Sequence, residues 1–201
     1  MKAHIIIVTT TFRRGILLCG MLLVCRGAGA QVLSVRPANP MRSRPLLVLT
    51  GTLGVSASPG AVSFTLSPQA LSAGSSSLAI TTSWNTLTGS DIVINIYGYF
   101  SSTTAALTNT TNSAYVIPPS IIEGIVTGTG STSTSYAWFA QTTPFSGASG
   151  LELASLNGGL IQFLQNGSTN NTLSLQIDLT TLPQLPAGTY TGILNIAAQA
   201  M

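Results

Sequence analysis

From Pro45 to Met201 the chain has no lysine, arginine or histidine, and beyond Ala30 it has no cysteine. Triad hydrolysis and thiol chemistry need an imidazole, amine or thiolate that exchanges a proton near neutral pH, so both are excluded for this stretch. Zinc and copper sites built on soft or imidazole ligands fall on the same ground, and no cofactor is expected. Charged residues of all kinds make up 5% of the 201 residues, where an ordinary soluble domain has about 25%. Ion-pair networks, coiled-coil seams and charged disordered tails are therefore out of reach. The carboxylates are Asp91, Glu123, Glu152 and Asp178. Glycoside hydrolysis needs two of them, about 5 to 9.5 Å apart across a cleft, so a carboxylate-dependent glycosidase stays as the third and least supported reading. Asp91 and Asp178 fall on polar positions of strand patterns and read as solvated. No Asp-x-Asp-x-Asp-Gly calcium spacing occurs.

What is present begins with a leader. Lys2, Arg13 and Arg14 precede an apolar run from Gly15 to Val24, and Ala28-Gly29-Ala30 supplies a small-residue cleavage pattern, so residues 1–30 read as a secretory signal peptide cut after Ala30. A run of ten is half of the ~20 residues a helix needs to cross a bilayer, which argues against a membrane anchor. No later stretch comes closer, and no transmembrane span is expected after cleavage. Cys25 follows Leu22-Leu23-Val24, but the bulky Val24 argues against a lipoprotein signal. The whole chain carries a formal charge of +3. Cleavage leaves Arg36, Arg42 and Arg44 against four carboxylates, a net charge of −1. The basic balance belongs to the leader, and no nucleic-acid partner is expected. The product is expected to be secreted, periplasmic or at the extracellular surface.

The remaining 171 residues form no disulfide, yet suffice for one apolar core. Residues 31–45 carry Pro37, Pro40 and Pro45 and all three arginines, and read as an extended tail. Residues 46–201 read as a single domain, all-β. Leu173, Leu175, Ile177 and Leu179 alternate with polar residues; Ile92, Ile94 and Ile96 do the same, as do Val62, Phe64 and Leu66, then Leu78, Ile80, Thr82 and Trp84, and finally Tyr190, Gly192, Leu194 and Ile196. Period two with one wet face is the antiparallel pattern. Turn residues at Ser58-Pro59-Gly60, Ala73-Gly74-Ser75, Thr88-Gly89-Ser90, Asn157-Gly158-Gly159, Asn166-Gly167-Ser168 and Pro186-Ala187-Gly188 separate the strands. Many short strands at this spacing predict a β-sandwich. One or two helical turns are expected around Leu151 to Leu156. Serine and threonine supply more than a quarter of the residues after Ala30 and replace charge as the source of polarity.

Aromatic side chains are the remaining candidates for ligand contact. By alternation Tyr97 and Tyr99 lie opposite Ile92, Ile94 and Ile96 and share an outer face, while Trp84 belongs to the core. Tyr97, Tyr99 and Trp138, with Tyr136 and Phe145 behind them, are the candidate ligand-facing aromatics; the competing reading is rings that support the sheet. Asn-x-Ser/Thr sequons at Asn109, Asn166 and Asn170 matter only in a glycosylating host.

The stretch Leu185-Pro186-Ala187-Gly188-Thr189-Tyr190-Thr191-Gly192-Ile193-Leu194-Asn195-Ile196 resembles the closing "AGTY" turn and last strand of bacterial secreted immunoglobulin-like domains, notably the spore coat protein U and archaic chaperone-usher pilin group. The resemblance covers about the last 30 residues, and the cysteine pair common in such pilins is missing. It implies an immunoglobulin-like antiparallel β-sandwich completed by a strand from a neighbouring subunit. The tail from Gln31 is placed for such a donor, although its prolines remove backbone donors; Leu46 to Leu49 is more apolar but reads as the domain's own first strand. The leading expectation is thus an exported, non-enzymatic structural or cell-surface protein, a fibre subunit that associates with itself or with other secreted β-proteins. The alternative is an adhesive or carbohydrate-binding module with a polysaccharide partner.

Overall fold

Each alternating row of the sequence becomes a strand whose apolar members face one core. The computed structural model describes residues 2–10, 50–88, 92–145, 148–157, 166–182 and 185–201. The cleavage residues Ala28 and Ala30, the tail 31–45, Leu46 to Leu49 and Asp91 lie outside the described residues.

The strands are β1 (Lys2–Thr10), β2 (Thr50–Ser58), β3 (Ala61–Thr65), β4 (Leu71–Ala73), β5 (Leu78–Thr88), β6 (Val93–Phe100), β7 (Leu107–Asn109) and β8 (Val116–Ile117), followed by a 3-10 turn (Pro119–Ile121). Then come β9 (Ile122–Gly128), β10 (Ala137–Trp138), β11 (Gln141–Thr142), β12 (Ser149–Asn157), β13 (Gly167–Asp178) and β14 (Thr189–Ala200). They form two sheets. The first runs β11-β12-β6-β14-β1-β3, with β7 and β8 continuing beside the start of β14; the second runs β10-β9-β13-β5-β2, with β4 beside the end of β13. The ladders are antiparallel apart from β1 on β14, which is parallel.

The inner faces meet in one core to which both sheets contribute, the first through Val62, Ile94, Ile96, Leu151 and Leu194, the second through Leu78, Ile80, Val126, Leu173 and Ile177. The expected rows all face inward: Leu173, Leu175, Ile177 and Leu179 are buried, as are Leu78, Ile80, Thr82 and Trp84. The polar residues that alternate with these rows are half-buried or exposed apart from Asn95, which is buried. The molecule is a sandwich-like all-β fold of two sheets.

Two local expectations are corrected. Leu151 to Leu156 is not helical but part of strand β12. A bulge between Glu152 and Ala154 puts Leu151 and Leu153, then Ala154 and Leu156, on the core side. An extra residue in a strand shifts the phase of its alternation, and the pairs Leu151/Ala154 and Leu153/Leu156 then imitate the i, i+3 spacing of a helical face. Gly167 is no turn residue; it opens β13.

Candidate functional site: the position between strands β3 and β14

The first sheet is continuous only because β1 lies within it. The segment Lys2-Ala3-His4-Ile5-Ile6-Ile7-Val8-Thr9-Thr10 is rich in β-branched residues, which suit a pleated and half-covered strand. It pairs in parallel with β14 at nine positions, from Lys2 opposite Thr189 to Thr10 opposite Ala197. On its other side it pairs antiparallel with β3, from Lys2 opposite Thr65 to Ile6 opposite Ala61. β3 and β14 have no ladder with one another; β1 bridges them.

Ile5 anchors the insertion. It has no solvent exposure and belongs to the common core. Its register partners are Val62 on β3, itself fully buried, and Gly192 on β14. Gly192 is needed by close approach: a Cβ there would stand 1.9 Å from the carbonyl oxygen of Ala106. Burying one isoleucine contributes about 1.5–3 kcal/mol, and the backbone of β1 satisfies donors and acceptors on two neighbours. Without β1, β14 and β3 would face each other as two unpaired edges across an apolar gap, the configuration that recruits another strand.

This segment belongs to the stretch that the sequence reads as a leader. Its signal was visible: Ile5 to Val8 is a second apolar stretch, separate from and upstream of the Gly15–Val24 run.

The candidate aromatics divide between two faces. Tyr97 and Tyr99 share the outer face of the first sheet, where Phe145, from the segment after β11, stacks on Tyr99 (centroids 4.5 Å, 15°) and meets Tyr97 edge-on (6.0 Å, 81°). Burial, then the neighbouring Glu152 carboxylate, holds the Tyr97 phenol above its ordinary pKa; burial alone does so for Tyr99. Beside them Ser155 Oγ donates to Asn95 Oδ1 at 2.8 Å. These rings are half-buried and support one another. Trp138 sits instead on β10 of the second sheet, 40% exposed, with Tyr136 at 38%. It is opposite Glu123 on β9, which is in turn opposite Gln176 on β13; Gln176 Nε2 donates to Glu123 Oε2. Tyr97, Tyr99 and Trp138 therefore do not converge on one ligand.

Glu152 lies on the outer side of the first sheet and Glu123 on that of the second, with the core between. Asp178, at the end of β13, accepts hydrogen bonds from Thr180 N (2.9 Å) and Thr180 Oγ1 (2.5 Å), which lower its pKa. Asn109 is buried, and its Oδ1 accepts from the backbone N–H groups of Thr111 and Asn112, so it serves a turn; Asn166 and Asn170 are exposed. Among the described residues no three His, Cys, Asp or Glu side chains gather as metal ligands, and no helix is long and apolar enough to cross a membrane. Compared with known proteins, the chain matches no family model, no curated protein and no solved structure.

Proposed function

We propose that the chain is an exported, non-enzymatic structural subunit with an immunoglobulin-like sandwich, which assembles into fibres by taking a strand from a neighbouring copy between β3 and β14. The observation that carries this reading is β1: a segment expected to be removed on export fills an internal place in the sheet, so the processed chain has a place for a strand of the same chemistry. The donor is the N-terminal part of another copy, beginning at Gln31. Tyr190 supports the immunoglobulin-like reading. It is fully buried at the start of β14, and its hydroxyl donates to Pro186 O, four residues upstream, at 3.1 Å, a bond that resembles the tyrosine corner of such sandwiches. The segregation of three arginines in the tail from four carboxylates in the body favours head-to-tail contact.

The test is the chain from Gln31 to Met201, followed by light scattering and electron microscopy. Concentration-dependent linear polymers are expected, shortened by a synthetic peptide of residues 2–10 that caps the acceptor. A monodisperse monomer whose melting temperature ignores the peptide would remove the fibre reading.

One observation favours a second reading, a polysaccharide-binding face: exposed Trp138 lies beside the hydrogen-bonded Glu123–Gln176 pair, an apolar ring flanked by polar groups, as sugar faces require. Polysaccharide pull-down lost in Trp138→Ala and kept in Tyr97→Ala would select it.

A further inference from the structure

We propose that β1 is a plug: before export Lys2–Thr10 fills the chain's own strand position, and export, which holds the basic end back and severs it after Ala30, opens that position to another copy. The plug itself rests on the observed sheet, and the replacement of the plug after cleavage rests on the fibre reading.

Three observations converge. The pairing is two-sided and long, nine positions on β14 and five on β3, with Ile5 fully inside the core. The plug and the export run are separate pieces of sequence, Lys2–Thr10 against Gly15–Val24, so occupation of the sheet does not consume the run that addresses the chain to the membrane. Between them stands Arg13-Arg14. The basic end of a leader stays on the side of synthesis, so β1 can reach its place only if the body folds before it crosses.

The occupant is thus a named segment of this chain, and its replacement is a strand of a second copy. While the plug is in place the edges of β3 and β14 are covered, which protects against premature edge-to-edge association. After cleavage the plug has lost its covalent tether, and with it the high effective concentration that favoured it over a strand supplied from outside.

The experiment uses the purified full-length, unprocessed chain and its Ile5→Asp variant, read by backbone amide exchange and by self-association. In the parent the amides of Thr189–Ala197 and Ala61–Thr65 are expected to be protected and the protein monomeric. In Ile5→Asp the amides of these strands that donate to β1 exchange at least tenfold faster while those of Leu173–Ile177 keep their protection, the protein self-associates, and a peptide of residues 2–10 added in trans restores the slow exchange. Equal exchange in parent and variant, or fast exchange at these amides in both, overturns the plug. If Ile5→Asp loses protection everywhere, Ile5→Ala with the same peptide decides: recovery supports the plug and none overturns it. The two readings fail separately. A chain beginning at Gln31 that stays monomeric beside a positive exchange result removes the fibre and keeps the plug, whereas polymers from that chain beside a null exchange result do the reverse.

Discussion

Tyr190 is fully buried, and its hydroxyl is satisfied by the Pro186 carbonyl. Tyr190→Phe keeps the ring and deletes the bond, so it is expected to cost about 1 kcal/mol, seen as a lower urea midpoint with an unchanged slope. Gly130 answers to backbone geometry: its φ is +69°, and a Cβ would lie 2.4 Å from Ser155 O. Gly130→Ala is therefore expected to destabilise by about 1–3 kcal/mol in the same measurement. Asp178 gives a pH signature. Its folded pKa lies below the ordinary 3.8 because Thr180 donates to it twice. A lowered carboxylate pKa stabilises the fold above the unfolded value and loses that contribution as pH falls through the folded one. Between pH 6 and pH 3 the denaturation midpoint should fall more in the parent than in Asp178→Asn.

Among the elements, what the sequence disclosed and what it hid have physical causes. Rows such as Leu173 to Leu179 were legible because period two assigns a face whatever the neighbouring strand is. β12 was not, because the bulge at Glu152/Ala154 changes phase within four residues. The pairing of β1 with β14 was hidden by its sequence separation, and its strand chemistry by the reading of residues 1–30 as a leader. Of the candidate site, the shared face of Tyr97 and Tyr99 could be read from alternation, whereas the covering ring of Phe145 depends on how the β11–β12 connection folds back. The β6–β12 contact can be checked at high pH. The Tyr97 phenol is held neutral by burial and by Glu152; a raised phenol pKa contributes stability below the unfolded value near 10 and loses it as pH rises through the folded value. In Glu152→Gln the ultraviolet titration of Tyr97 should move down toward the ordinary value.

For the whole molecule, stability has few sources to draw on. With no disulfide available after Ala30 and no cation in the body, two sheets and the core between them hold the fold. That core takes a contribution from a strand at the opposite end of the chain from its main partner, β1 on β14. Closing so long a loop has an entropic cost that grows only slowly with its length, by roughly 0.6 kcal/mol per doubling. A second molecule offering the same strand therefore competes on concentration and fit.

The place of the basic residues in the chain gives this arrangement a protease signature. Every lysine and arginine lies at or before position 44, and Arg36 and Arg44 are each followed by proline, a bond trypsin leaves intact. Trypsin can therefore cut between β1 and the body at Arg13, Arg14, Arg26 and Arg42, and has no target from Ser43 to Met201 even when the chain is unfolded. Digestion of the full-length protein should yield a nicked two-piece complex, in which a short peptide containing Ile5 migrates with the body on a native gel and leaves it only in denaturant.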